Sequence, residues 1–173
     1  MANTFELISS VTVPSAQTTI SFTSIPSTFT DLILKVSARW TGNNSGPVGI
    51  GMQMNTTNHS ARFVYGTGSG SGASGSTTPS WTTNGGFIGW IPDSSATANT
   101  FGNFEIYLPN YTSSNFKSFS LDTVTENNAT LANAGLLAGL WSNTAAINQI
   151  TLTPVSGSIA IYSTAYLYGV KNA

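Results

Sequence analysis

The chain alternates in steps of two. In DLILKVSARW the residues Leu32, Leu34, Val36, Ala38 and Trp40 share one side of an extended backbone, and Ile33, Lys35, Ser37 and Arg39 take the other. VGIGMQM repeats the device, with Val48, Ile50, Met52 and Met54 on the apolar side and Gly49, Gly51 and Gln53 on the other. TGNNSGP between them has the composition of a turn. Successive side chains of a strand point to opposite faces, so this period predicts half-buried strands and not amphipathic helices.

Similar short runs lie at 5–13, 18–22, 62–65, 87–91, 104–108, 116–125, 136–141, 147–153 and 159–170, separated by clusters of Pro, Gly, Asn and Ser. Strands at such short intervals, without helices between them, predict an all-β fold, a single antiparallel β-sandwich that is jelly-roll-like and spans 1–173. Leu32, Leu34, Val36, Val48, Ile50 and Met52 should form its core. LANAGLLAGLW is apolar without clear alternation, but Gly135 and Gly139 weaken a helix, so it is read as a strand. GTGSGSGASGSTTPS, at 66–80, falls inside the domain and reads as a long Gly/Ser-rich internal loop, since too little chain flanks it for a linker between two domains.

Charge is the scarce resource. Charged residues make up 6% of the chain and the formal net charge is −1, against about 25% charged in an ordinary domain. Ser, Thr and Asn supply the polar surface instead. A hydrophobic fraction of 40% excludes a disordered chain, while a net charge near zero gives little protection against self-association and favours a subunit of an assembly. The five basic residues, Lys35, Arg39, Arg62, Lys117 and Lys171, are scattered, so no phosphate-tracking patch forms and nucleic acid is not expected as a partner. MANTFELISS has no basic segment followed by a long apolar one, and no apolar run approaches a membrane span, which argues against secretory export and a membrane location. With no cysteine there is neither a disulfide framework nor a thiolate metal site.

The groups able to do chemistry are few. Glu105 and Asp122 lie on two apolar runs joined by a polar turn, in FGNFEIYLPNYTSSNFKSFSLD. A hairpin could bring them within the separation of a glycosidase pair, but the alternation turns both outward, Glu105 opposite in phase to Phe104, Ile106 and Leu108, and Asp122 alongside Ser118 and Ser120. A surface ion pair with a cross-strand partner such as Lys117 is the better expectation. His59 is the one histidine, so a histidine-based metal site or a Ser-His-Asp relay would have to be built around it alone, and a loop or turn histidine is the better expectation; the glycine-rich loop lacks the Lys-Ser/Thr ending of a phosphate-binding loop. The sequence therefore predicts no catalytic residues, no metal, no cofactor and no enzyme. Aromatic residues carry more weight. Tyr65, Trp81, Phe87 and Trp90 bracket the internal loop, and together with Tyr111 they are the candidates for an interface or ligand platform, with core packing the stronger alternative for the bracket.

TFGNFEIYLPNYTSSNFKSFSLDTVTENN followed by LLAGLWSNTAAINQITLTPVSGSIAIYSTAYLYGV resembles a family of small virion structural proteins of tailed bacteriophages, and FTSIPSTFTDLILKVSAR matches more loosely. The resemblance implies an all-β particle component made in the host cytoplasm and located on the virion surface. It favours a capsid decoration, or cement, subunit that binds the major capsid protein or other virion proteins and self-associates, as a trimer if it occupies a three-fold position. The alternative it leaves is a tail or tail-fibre component whose β-sandwich binds a host surface glycan. It carries no catalytic residues.

Overall fold

The computed structural model describes residues 4–67, 74–77, 85–127 and 132–171. Twelve strands run through them, and among the described residues there is no helix: β1 (Phe5–Thr12), β2 (Ile20–Phe22), β3 (Asp31–Ala38), β4 (Val48–Met54), β5 (Ser60–Thr67), β6 (Ser74–Thr77), β7 (Gly86–Ile91), β8 (Gly102–Leu108), β9 (Lys117–Glu126), β10 (Ala132–Trp141), β11 (Ile150–Pro154) and β12 (Thr164–Val170). An eight-stranded sheet has the order β1-β12-β3-β8-β9-β10-β5-β6, and a four-stranded sheet the order β2-β11-β4-β7. Every pairing is antiparallel.

The quartets β1-β12-β3-β8 and β2-β11-β4-β7, with the chain crossing between sheets at each step from β1 to β4 and again from β11 to β12, are the two halves of a jelly roll. Two hairpin insertions widen one half. The β5–β6 pair follows β4, and the β9–β10 pair follows β8, and together they extend the first quartet to eight strands. The Gly/Ser stretch expected as loop from 66 to 80 is thus interrupted by β6, which pairs with β5 from Arg62↔Thr77 to Tyr65↔Ser74. Strand pairing there needs only backbone groups, which a composition reading does not register.

Alternation explains the core. Leu34 sits in register with Leu167 of β12 and Ile106 of β8, and all three are fully buried. Leu32, Val36 and Ala38 of β3 join them, and the smaller sheet contributes Ile50, Met52 and Met54 of β4 with Ile150 and Leu152 beside them on β11. On β9 the buried set is Lys117, Phe119, Leu121, Thr123 and Thr125, and on β8 it is Phe104, Ile106 and Leu108. β4 is buried almost throughout, including Gly49 and Gly51, which the sequence places on the outward side.

β7 breaks strict alternation. Ile50 pairs with Gly89 and Gly51 with Phe87, so Ile88 is an extra residue, a β-bulge that turns both Phe87 and Ile88 inward. Gly89 has φ +145, and a Cβ there would stand 2.6 Å from the Phe104 ring and 2.9 Å from Thr123 Oγ1. No other residue fits this position without displacing a core neighbour.

His59 occupies the core next to this strand. Its ring meets Phe119 edge to face at 4.8 Å, Nε2 lies 3.4 Å from the Phe87 carbonyl oxygen, and a Cβ on Gly86 would collide with it at 2.5 Å. Burial pushes its pKa from 6.5 down to about 4, against the opposing pull of backbone carbonyls.

Two measurements check this packing. Leu34→Ala should lower stability by roughly 2–5 kcal/mol through lost burial and an unfilled cavity, read from the urea midpoint; an unchanged midpoint would mean the inward phase of β3 is misassigned. The His59 linkage has a definite sign. The folded state keeps the ring neutral while the unfolded chain takes up a proton, so the stability it confers is complete above pH 6.5 and is lost as pH falls toward 4, by roughly 3 kcal/mol in all. The His59→Gln variant should show no such slope across that window, whatever its overall stability.

Candidate functional site

The outward face of the eight-stranded sheet carries the side chains that the fold itself does not consume. Strand register arranges them in rows. One row runs Ser10, Tyr166, Lys35, Glu105, Asp122 and Leu136 across β1, β12, β3, β8, β9 and β10. The next runs Thr164, Ser37, Asn103, Val124 and Ala134. Over the middle four strands these rows line a groove of about 410 Å³, with β12 and β9 as its walls and β3 and β8 beneath.

Glu105 and Asp122 are direct cross-strand partners on this face, as the hairpin reading of FGNFEIYLPNYTSSNFKSFSLD expects. Opposite residues have Cβ atoms about 4.5–5.5 Å apart, so proximity suits a carboxylate pair. Glu105 is already engaged, however. Its Oε2 lies 2.8 Å from Lys35 Nζ, and the hydrogen bond and charge of Glu105 raise the lysine pKa. The ion pair is thus made with Lys35 of β3. Lys117, named as a partner from sequence, lies in the interior, where its Nζ donates to the carbonyl oxygens of Ser113 at 2.6 Å, Ala145 at 2.6 Å and Asn143 at 3.3 Å and stands 5.4 Å from the Trp141 ring centroid. Desolvation lowers its pKa. Its phase on β9, shared with Phe119 and Leu121, already signals this burial, and three carbonyls at the sandwich end replace the missing carboxylate.

Of the five aromatic candidates, the structure places the side chains of three. Phe87 is buried and Trp90 half-buried, with their rings edge to face at 5.1 Å. Tyr111 is completely buried, and its hydroxyl donates to the Pro26 carbonyl oxygen. Packing inside the sandwich makes Phe87 and Tyr111 unavailable as an open surface and leaves Trp90 partly exposed. Tyr65 lies on β5 opposite Gly135 and Ser74, but its side chain, like the whole of Trp81, falls outside the described residues. The exposed aromatic on the groove is instead Tyr166, from the IAIYSTAYLYGV segment, where alternation alone would have turned it outward opposite Ala165 and Leu167.

A second hollow of about 300 Å³ lies beside Asp93. Burial alone would raise this carboxyl, but hydrogen bonds from Ser95, Asn44 and Gly46 outweigh it and hold the pKa at about 2. Both oxygens are occupied: Oδ1 accepts from Ser95 N and Oγ and Ala96 N, and Oδ2 from Asn44 N and Gly46 N. Arg39 clasps the same loop through the carbonyls of Ala96, Thr97 and Thr100. These residues fix a loop and leave nothing over for a ligand. Among the described residues no group of three or more His, Asp or Glu could hold a metal ion.

The Lys35–Glu105 pair stands with side chains 55% and 46% exposed, so solvent screens it. Glu105→Gln should shift the unfolding free energy by less than about 1 kcal/mol, measured by denaturant titration; a larger loss would make the pair a structural element. No family model, curated protein or solved structure matches the chain, so the chemistry of this face rests on its own side chains.

Proposed function

We propose that the protein is a structural subunit of a bacteriophage particle, a capsid decoration or cement subunit that docks on neighbouring protein through the outward face of its large sheet. The observation that carries this reading is β10. Its inward residues Gly135, Leu137, Gly139 and Trp141 are buried, while Ala134, Leu136, Ala138 and Leu140 point outward and are exposed, Leu136 to 67%. A strand apolar on both faces is the composition of a strand covered on both sides, yet one side of β10 lies open in the isolated chain. On β9, Ser118 and Ser120 stand opposite Leu140 and Ala138, and Asp122 stands opposite Leu136 at the border of this apolar strip.

A protein partner of matching character would close that face. Exposed contiguous apolar surface marks such contacts, and the low charge of the chain suits an interface locked by shape and uncharged contacts. The resemblance read from its sequence segments supplies the context of a small phage virion protein, with self-association and the major capsid protein as the proposed partners. A trimer fits a three-fold position on a symmetric particle.

The expected behaviour is a concentration-dependent oligomer by light scattering that also binds particles stripped of the subunit. Both associations should change little between low and high salt. Leu136→Lys should abolish them while leaving the unfolding free energy within about 0.5 kcal/mol of the parent, because the side chain is solvent-facing. A protein that stays monomeric when concentrated and ignores stripped particles would overturn the proposal.

A further inference from the structure

From the groove between β12 and β9 we infer a second binding activity: it takes an uncharged glycan, through Tyr166, Asn103, Asp122, Ser37 and Thr164. The inference is independent of the docking reading, since no residue of β10 lines the groove.

The first argument is unused polarity. Among the described residues, the side chains of Ser37, Asn103, Asp122 and Thr164 make no hydrogen bond within the fold, although all four border one hollow. They offer two hydroxyls, an amide and a carboxylate, which between them can both donate to and accept from neighbouring hydroxyl groups. The second argument is the wall. Tyr166, 37% exposed, and Val124, 48% exposed, flank these groups with apolar surface. A sugar ring presents hydroxyls around its edge and C–H groups on its face, so polar groups beneath and an aromatic side chain at the wall match both parts.

Size and charge narrow the ligand. A volume of about 410 Å³ falls within the roughly 300–1,000 Å³ of small-ligand sites, and four strands span about 14 Å at the usual inter-strand spacing, so the groove is an open trough suited to a chain of rings. Lys35 is paired with Glu105 at 2.8 Å and also feels the charge of Asp122, so these three groups leave the groove with a net charge of −1. Uronic and sialic acids would be repelled. An apolar ligand would strand the polar groups without partners, and two carboxylates, one already paired, are too few for a metal ion.

Titrating the full chain with cellohexaose, chitohexaose, maltohexaose and polygalacturonate, by calorimetry and by amide chemical shifts, tests this. At least one neutral oligosaccharide should bind saturably and shift amides of β12, β3 and β8. Tyr166→Ala and Asp122→Ala should each weaken that binding by about tenfold or more, Tyr166→Phe should retain it, and all three should keep the parent unfolding midpoint. Leu136→Lys should bind sugar normally while losing assembly, which separates failure of this site from failure of the docking face. Absence of saturable binding to all three neutral oligosaccharides, tighter binding of the polyuronate, shifts confined to other strands, or indifference to Tyr166→Ala would each overturn the inference.

Discussion

The close approach of β7 to the curled half of the large sheet is the contact on which the rest of the sandwich depends. Four strands cannot cover the inward face of eight unless the wider sheet bends around them, and β7, the edge of the smaller sheet, packs against β8, β9, β10 and β5. The bulge at Ile88 lets this strand bury two successive large side chains, Phe87 and Ile88, between the layers. Gly89 admits the Phe104 ring and Thr123 against its backbone. His59 fills the adjoining space as an uncharged ring, so an imidazole serves here as a flat core residue at neutral pH.

Scarcity of charge shapes everything outside that seam. With so few ionic groups, three charged side chains take their partners mainly from backbone: Lys117 from three carbonyls, Asp93 chiefly from amides, and half-buried Arg39 chiefly from carbonyls. Each ties loops together at an end of the sandwich, where strand pairing has stopped and carbonyl and amide groups would otherwise lack partners. The ion pairs Lys35–Glu105 and Lys171–Glu6 lie at the surface and contribute little by comparison.

The outward face of the large sheet then divides by strand. β10 offers apolar side chains without charge, the character of a surface made to be covered by protein. The four strands from β12 to β9 offer free hydrogen-bonding groups beside a tyrosine, the character of a surface made to hold a small polar ligand. Both regions are products of the hairpin insertion of β9 and β10, because without it the jelly-roll half would end at β8 and neither the far groove wall nor the exposed leucines would exist. One sheet extension thus supports both the particle-docking and the glycan proposals.

The sequence by itself determined the all-β class, the inward phase of β3, β4, β8 and β9, and the outward phase of Glu105 and Asp122, because alternation is a local property that the strand backbone enforces residue by residue. It also marked LANAGLLAGLW as a strand of unusual composition. Only the tertiary structure decided which strands are neighbours, and with that which side chains meet: Lys35 with Glu105 across β3 and β8, Lys117 with the carbonyls of Asn143 and Ala145 in the loop after β10, Tyr166 with Asn103 and Asp122 around one groove. Tyr111 illustrates the same limit, since a buried hydroxyl contact with Pro26 places inside the fold a side chain whose local sequence suits a surface equally well. Period two fixes the face of a strand but carries no information about its partner, and sites are made of partners.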